Sequence, residues 1–166
     1  KKETSGGCND NDEFTLASFV SLAEKEYSCL SNYCNAYNQL SHVAVLNSEK
    51  TNTNLDANAA MCSFYDASID LRKTHAQMKL KSEQALKLNF QQQHIKTISA
   101  HFQLSRRCIA TCFNCTVLDE LGFLPTLSQP EQQKEDYQFQ IVSLAAYNAA
   151  LARLRQKRTV EMHNGK

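Results

Sequence analysis

From Leu55 to Glu120 the chain contains neither glycine nor proline. Tight turns draw on those two residues for positive or fixed φ angles. A stretch of this length without them favours helix over any strand-and-turn arrangement. The whole chain carries only 4 Gly and 2 Pro in 166 residues. That is too few for the many turns of a sandwich or barrel, so the fold class expected is all-α with few, long elements.

Hydrophobic periodicity divides the chain. Residues 1–11 are polar and aperiodic and read as a flexible tail. A first helix is expected from about Asp12 to about Leu46, capped by Asn11 or Asp12. Its apolar positions Leu16, Phe19, Val20, Ala23, Tyr27, Leu30, Cys34, Tyr37, Leu40 and Ala44 follow helical spacing. After a polar connection at 47–54, Ala57, Met61, Phe64, Ser68, Leu71, His75 and Met78 alternate steps of four and three, the mark of a heptad seam. The pattern fades near Ser82 and returns in a shifted frame at Leu86, Phe90, Ile95, Ile98, Phe102, Ile109 and Phe113. Gly122 and Pro125 stop the segment. Pro130 opens a last helix whose seam is expected at Tyr137, Ile141, Leu144, Asn148 and Leu151. Asn148 is expected at the seam's edge, reaching water. The single helical domain thus spans 12–160, with 161–166 frayed.

Two architectures satisfy this pattern. A break between Ser82 and Gln93 gives a four-helix up-down bundle. No break gives three helices, the central one about 65 residues and roughly 95 Å long. Such a molecule needs a partner along its exposed seams, most simply a second copy, as an elongated coiled-coil-like dimer.

Composition narrows function. Hydrophobic residues at 42% and charged residues at 21% are ordinary globular values. A formal net charge of +1 gives no bulk attraction to nucleic acid, and none is expected as a partner. No run approaches the length of an apolar membrane span. The polar start at Lys1 and Lys2 is not a leader, and the absence of an initiating Met points to a processed or trimmed chain.

The 7 cysteines are many and odd in number. In a helical chain large enough to fold on its apolar core they are expected as reduced thiols, which suggests a cytoplasmic location. Bridges between helices, for example from Cys62 to the Cys108–Cys115 group, remain open. Cys108, Cys112 and Cys115 form the densest group. On a helix Cys108 and Cys112 share a face, as do Cys112 and Cys115, so they are the candidate ligands for a metal ion, the one cofactor these residues suggest. Their C-x3-C-x2-C spacing also occurs in cluster-binding loops, but here it falls within a helix and Asn114 precedes the last cysteine.

His75 sits on the second seam as a polar interruption that sets register. No Glu-x-x-His pair, nucleophile elbow or phosphate loop occurs, and no catalytic residue is nominated. Arg153, Arg155, Lys157 and Arg158 close the last helix, where they complement its dipole and are candidate binding residues for an anionic surface. The expected function is therefore a non-enzymatic helical interaction module, a scaffold or adaptor that self-associates or takes a helical partner. A cysteine-based metal or redox bundle and a curved, BAR-like membrane-associated helical dimer are the alternatives.

Overall fold

The structure is a computed structural model. It describes residues 15–49, 57–88, 92–114, 117–118, 125–126 and 130–164. Four helices occur in the described residues: α1 (Leu16–Glu49), α2 (Ala57–Lys87), α3 (Gln92–Asn114) and α4 (Pro130–Asn164). Between α3 and α4, β1 (Val117–Leu118) and β2 (Pro125–Thr126) form a minimal antiparallel pairing. The architecture is the four-helix up-down bundle. The single long central helix does not occur: α2 ends at Lys87, and α3 packs back along the bundle.

Side-chain pairs fix the directions. Tyr33 meets Phe64 while Glu26 meets His75, so α1 and α2 are antiparallel. Glu24 meets Arg155 while Tyr27 meets Tyr147, so α4 is antiparallel to α1 as well. Phe19 meets His101, Glu26 meets Ser105, and Cys34 meets Cys112, so α1 and α3 run parallel across the bundle's diagonal.

The expected caps at Asn11 and Asp12 lie outside the described residues. Instead, Thr15 caps α1. Its Oγ1 accepts from the Ser18 amide at 3.0 Å, and the Thr15 amide donates back to Ser18 Oγ at 3.1 Å. This is a reciprocal capping box with serine in the position usually held by glutamate. Pro130 opens α4 as its position requires, and α4 runs to Asn164.

The inner line of α1 follows the expected one from Leu16 through Leu40, except that Glu26 is buried in it and Tyr27 is only half-buried. The other three helices are rotated relative to their expected seams. On α2 the buried line is Ala60, Phe64, Ala67, Leu71, Thr74, Met78 and Ala85, so Met61, Ser68 and His75 fall to its half-buried flank. On α3 it is His94, Ile98, His101, Ser105, Cys108 and Cys112. Ile95, Phe102 and Phe113 flank that line, while Leu86, at the end of α2, is 58% exposed. On α4 it is Gln140, Ser143, Tyr147, Ala150 and Leu154. Of the expected α4 seam, Leu151 is buried, Leu144 is half-buried, and Ile141 and Asn148 are exposed. The helices have turned polar side chains inward, and the reason lies at Glu26.

Candidate functional site

Glu26 sits mid-way along α1 on the same inner stripe as Ala23 and Leu30, and it is completely buried. A carboxylate taken out of water must be matched by donors or its burial costs several kcal/mol. Each of the other three helices supplies one. Ser105 Oγ on α3 donates to Glu26 Oε1 at 2.6 Å, and the Tyr147 hydroxyl on α4 donates to the same oxygen. His75 Nδ1 on α2 lies 2.7 Å from Glu26 Oε2, close enough to donate there. Turning α4 to bury Ile141 and Val142 would take Tyr147 away from this carboxylate. Satisfaction of one buried acid thus outweighs the burial of two aliphatic side chains.

The network extends one step further. His101 Nε2 lies 3.2 Å from the Tyr147 oxygen, and the Tyr147 hydroxyl also approaches the Ala23 carbonyl at 3.3 Å. With the Tyr147 proton directed at Glu26, its oxygen accepts from His101 Nε2–H. His101 Nδ1 then carries a lone pair and has no partner among the described residues. Burial lowers the His101 pKa from 6.5 to about 4, with Arg153 adding to the shift and Glu26 opposing it, so the ring is neutral near pH 7. Burial and the Glu26 carboxylate together hold the Tyr147 proton on far above the usual phenol range. His75 is the network's outer member. Its ring stacks on Phe102 at 5.2 Å between centroids and is partly exposed.

Ser105, His75 and Glu26 are the residue types of a nucleophilic triad, but the geometry differs. In a relay, serine and carboxylate use opposite nitrogens of the histidine. Here both approach Nδ1, Ser105 at 3.3 Å, and Ser105 gives its own proton directly to the acid. The three side chains converge as a hydrogen-bond hub on Glu26 rather than in the relay order.

Cys108 and Cys112 are buried on the inner line of α3, and Cys115 lies outside the described residues. Cys112 Sγ instead lies 3.7 Å from Cys34 Sγ on α1. Among the described residues no group of three or more histidine, cysteine or acidic side chains is arranged to hold a metal ion.

The four basic residues of α4 are split by the helical turn. Arg153 and Lys157 share one exposed face, whereas Arg155 Nε donates to Glu24 Oε2 at 2.9 Å and ties α4 to α1. Arg158 is half-buried on that second side. No helix among the described residues is long and apolar enough to cross a membrane.

No family model, curated protein or solved structure matches this chain.

Periodicity gave no sign of Glu26 as a hub, because a glutamate at one position of an apolar stripe reads as an edge residue. The available signal was that Glu26 lies between Ala23 and Leu30 in a run of threes and fours. Tyr27, the residue placed on the stripe, is only half-buried.

The surface of α4 holds the other notable feature. Phe139 is 53% and Val142 64% exposed. They begin a stripe that continues through half-buried Ala146 and exposed Ala149 to exposed Arg153. The steps are three, four, three and four, a heptad line on the flank of α4 beside its buried line, where Ala146 also packs against the core.

Proposed function

We propose that the chain is a non-enzymatic helical interaction module that self-associates through the outer stripe of α4. The observation that carries this reading is the largely exposed heptad line from Phe139 to Arg153, which lies apart from the buried line of the same helix. Water-facing apolar side chains at coiled-coil spacing are the ordinary form of a helix–helix contact surface.

A second copy in antiparallel orientation fits the line about its own centre. Phe139 then faces Ala149 of the second copy, and Val142 faces Ala146, so each large side chain meets a small one. Such a contact is isologous and closed. The charge pattern suits the same orientation. The α4 sequence begins with Glu131, Glu135 and Asp136 and ends with Arg153, Arg155, Lys157 and Arg158, so the acidic start of each helix lies beside the basic end of the other. One helix pair buries less than the roughly 1,200 Å² of a standard stable interface, which implies a reversible dimer of about micromolar affinity or weaker.

Sedimentation velocity over a concentration series tests this. The wild-type chain should pass from monomer to dimer. Val142→Asp should remain monomeric with an unchanged urea midpoint. Phe139→Ala should weaken the dimer, and the double variant F139A/A149F, which exchanges large and small positions, should regain it. A wild-type chain that stays monomeric into the millimolar range, or a Val142→Asp chain that dimerises equally well, overturns the reading.

A further inference from the structure

Two sulfurs at the centre of the bundle are assigned no role by the hydrogen-bond hub or by the α4 surface. Cys34 on α1 and Cys112 on α3 are both almost fully buried, with Sγ atoms 3.7 Å apart. They come from helices that are diagonal neighbours, so no backbone pairing brings them together. The other described cysteines differ. Cys62 is exposed, Cys29 Sγ lies 3.5 Å from Thr74 Oγ1, and Cys108 sits one turn before Cys112 on the same helix. A regular helix holds such intrahelical pairs in poor geometry for a bridge.

We propose that Cys34 and Cys112 are a disulfide-forming pair that cross-links α1 to α3 through the core. Bond formation brings the sulfurs to about 2.0 Å, and rotation about the side-chain bonds supplies the difference. The oxidant is a small-molecule disulfide of the glutathione class. One cysteine thiolate attacks it, forming a mixed disulfide and releasing one small thiol. The other cysteine then displaces the second small thiol. Two S–H bonds are replaced by one S–S bond, the oxidant's disulfide becomes two thiols, and the two protons go to those thiols.

The closed fold disfavours the first step. Burial pushes the Cys108 thiol up to about 11. Cys112 is held protonated more strongly still, by its hydrogen bond to Cys34 and then by burial. The Cys112 thiolate is therefore scarce until the helices part. The bridge forms as the bundle closes or during opening, and once formed it is shielded from external reductant by the same packing.

The full chain, unfolded in denaturant and refolded in a buffer of oxidised and reduced glutathione, provides the test. Remaining thiols are alkylated in denaturant without reduction, and the masses of intact chain and peptides are read. The expected product has lost two alkylation sites and yields a linked pair joining Cys34 to Cys112. Fragmentation of those peptides is needed, because they also carry Cys29, Cys108 and Cys115. Native bridged protein should resist a reductant that cleaves the bridge at once in denaturant. Cys62→Ser should form the same bridge, and C34A/C112A should form none at this site. All seven thiols alkylated after oxidative refolding, or a linked pair joining either residue to a different cysteine, overturns the proposal.

Discussion

His101 is held edge-on between Phe19 and Tyr147, with both ring contacts near 85° and centroids under 6 Å apart. Its neutral form is built into the core, so protonation opposes folding. The folded pKa is about 4 against 6.5 for the free side chain. The unfolded chain therefore takes up a proton at higher pH than the folded one, and the contribution is full above 6.5 and is lost as pH falls through about 4. The size of this term is ~3 kcal/mol at 1.36 kcal/mol per pH unit of displacement. Urea unfolding measured from pH 7 down to pH 4 should register that loss. His101→Phe should remove most of it. A profile with the same slope in both proteins would show that His101 is not the group responsible.

At the scale of the helix, α4 carries the largest departure from its expected pattern. Its apolar residues are spread around the axis, so spacing alone offered several seams, and the one chosen from Tyr137 to Leu151 was rotated from the true one. The inner line Gln140, Ser143, Tyr147 is polar at its first three positions, and only the tertiary demand of Glu26 selects it. The α1 line was legible because its stripe is apolar at nearly every turn and faces all three neighbours. The α3 line was not, because two histidines, a serine and two cysteines occupy it. Even so, the seven-residue step from His94 to His101 to Cys108 was visible in the sequence. The place of the break between α2 and α3 was legible in the seam that fades from Ser82 to Gln93, but its occurrence was not, since neither glycine nor proline marks it.

The same helix contains a defect with a measurable consequence. Gln140 is fully buried, and neither its amide oxygen nor its nitrogen finds a hydrogen-bond partner among the described residues. A buried unpaired polar group costs about 1–3 kcal/mol. Gln140→Met keeps the volume and removes the unpaired atoms. It should raise stability by about 1–2 kcal/mol in urea unfolding, whereas a loss of stability would mean that the amide is satisfied in solution.

For the molecule as a whole, the cross-link between α1 and α3 joins residues 78 apart in sequence. Closing a loop of that length in the unfolded chain stabilises the folded one by ~4.5 kcal/mol on the chain-entropy account. Bridged protein should therefore unfold at clearly higher urea than the same protein reduced, and C34A/C112A should lose the difference. The hub at Glu26 acts on the whole bundle in another way. One acceptor on α1 draws a single donor from each remaining helix. A copy of the chain that exchanged a helical hairpin with its neighbour would still fill the hub, provided all four helix types arrived. An assembly of two identical hairpins would leave at least one donor missing. Halves of the chain cut between α2 and α3 should therefore reassemble as unlike pairs in preference to like ones, because only the unlike pair brings Glu26 all three of its donors.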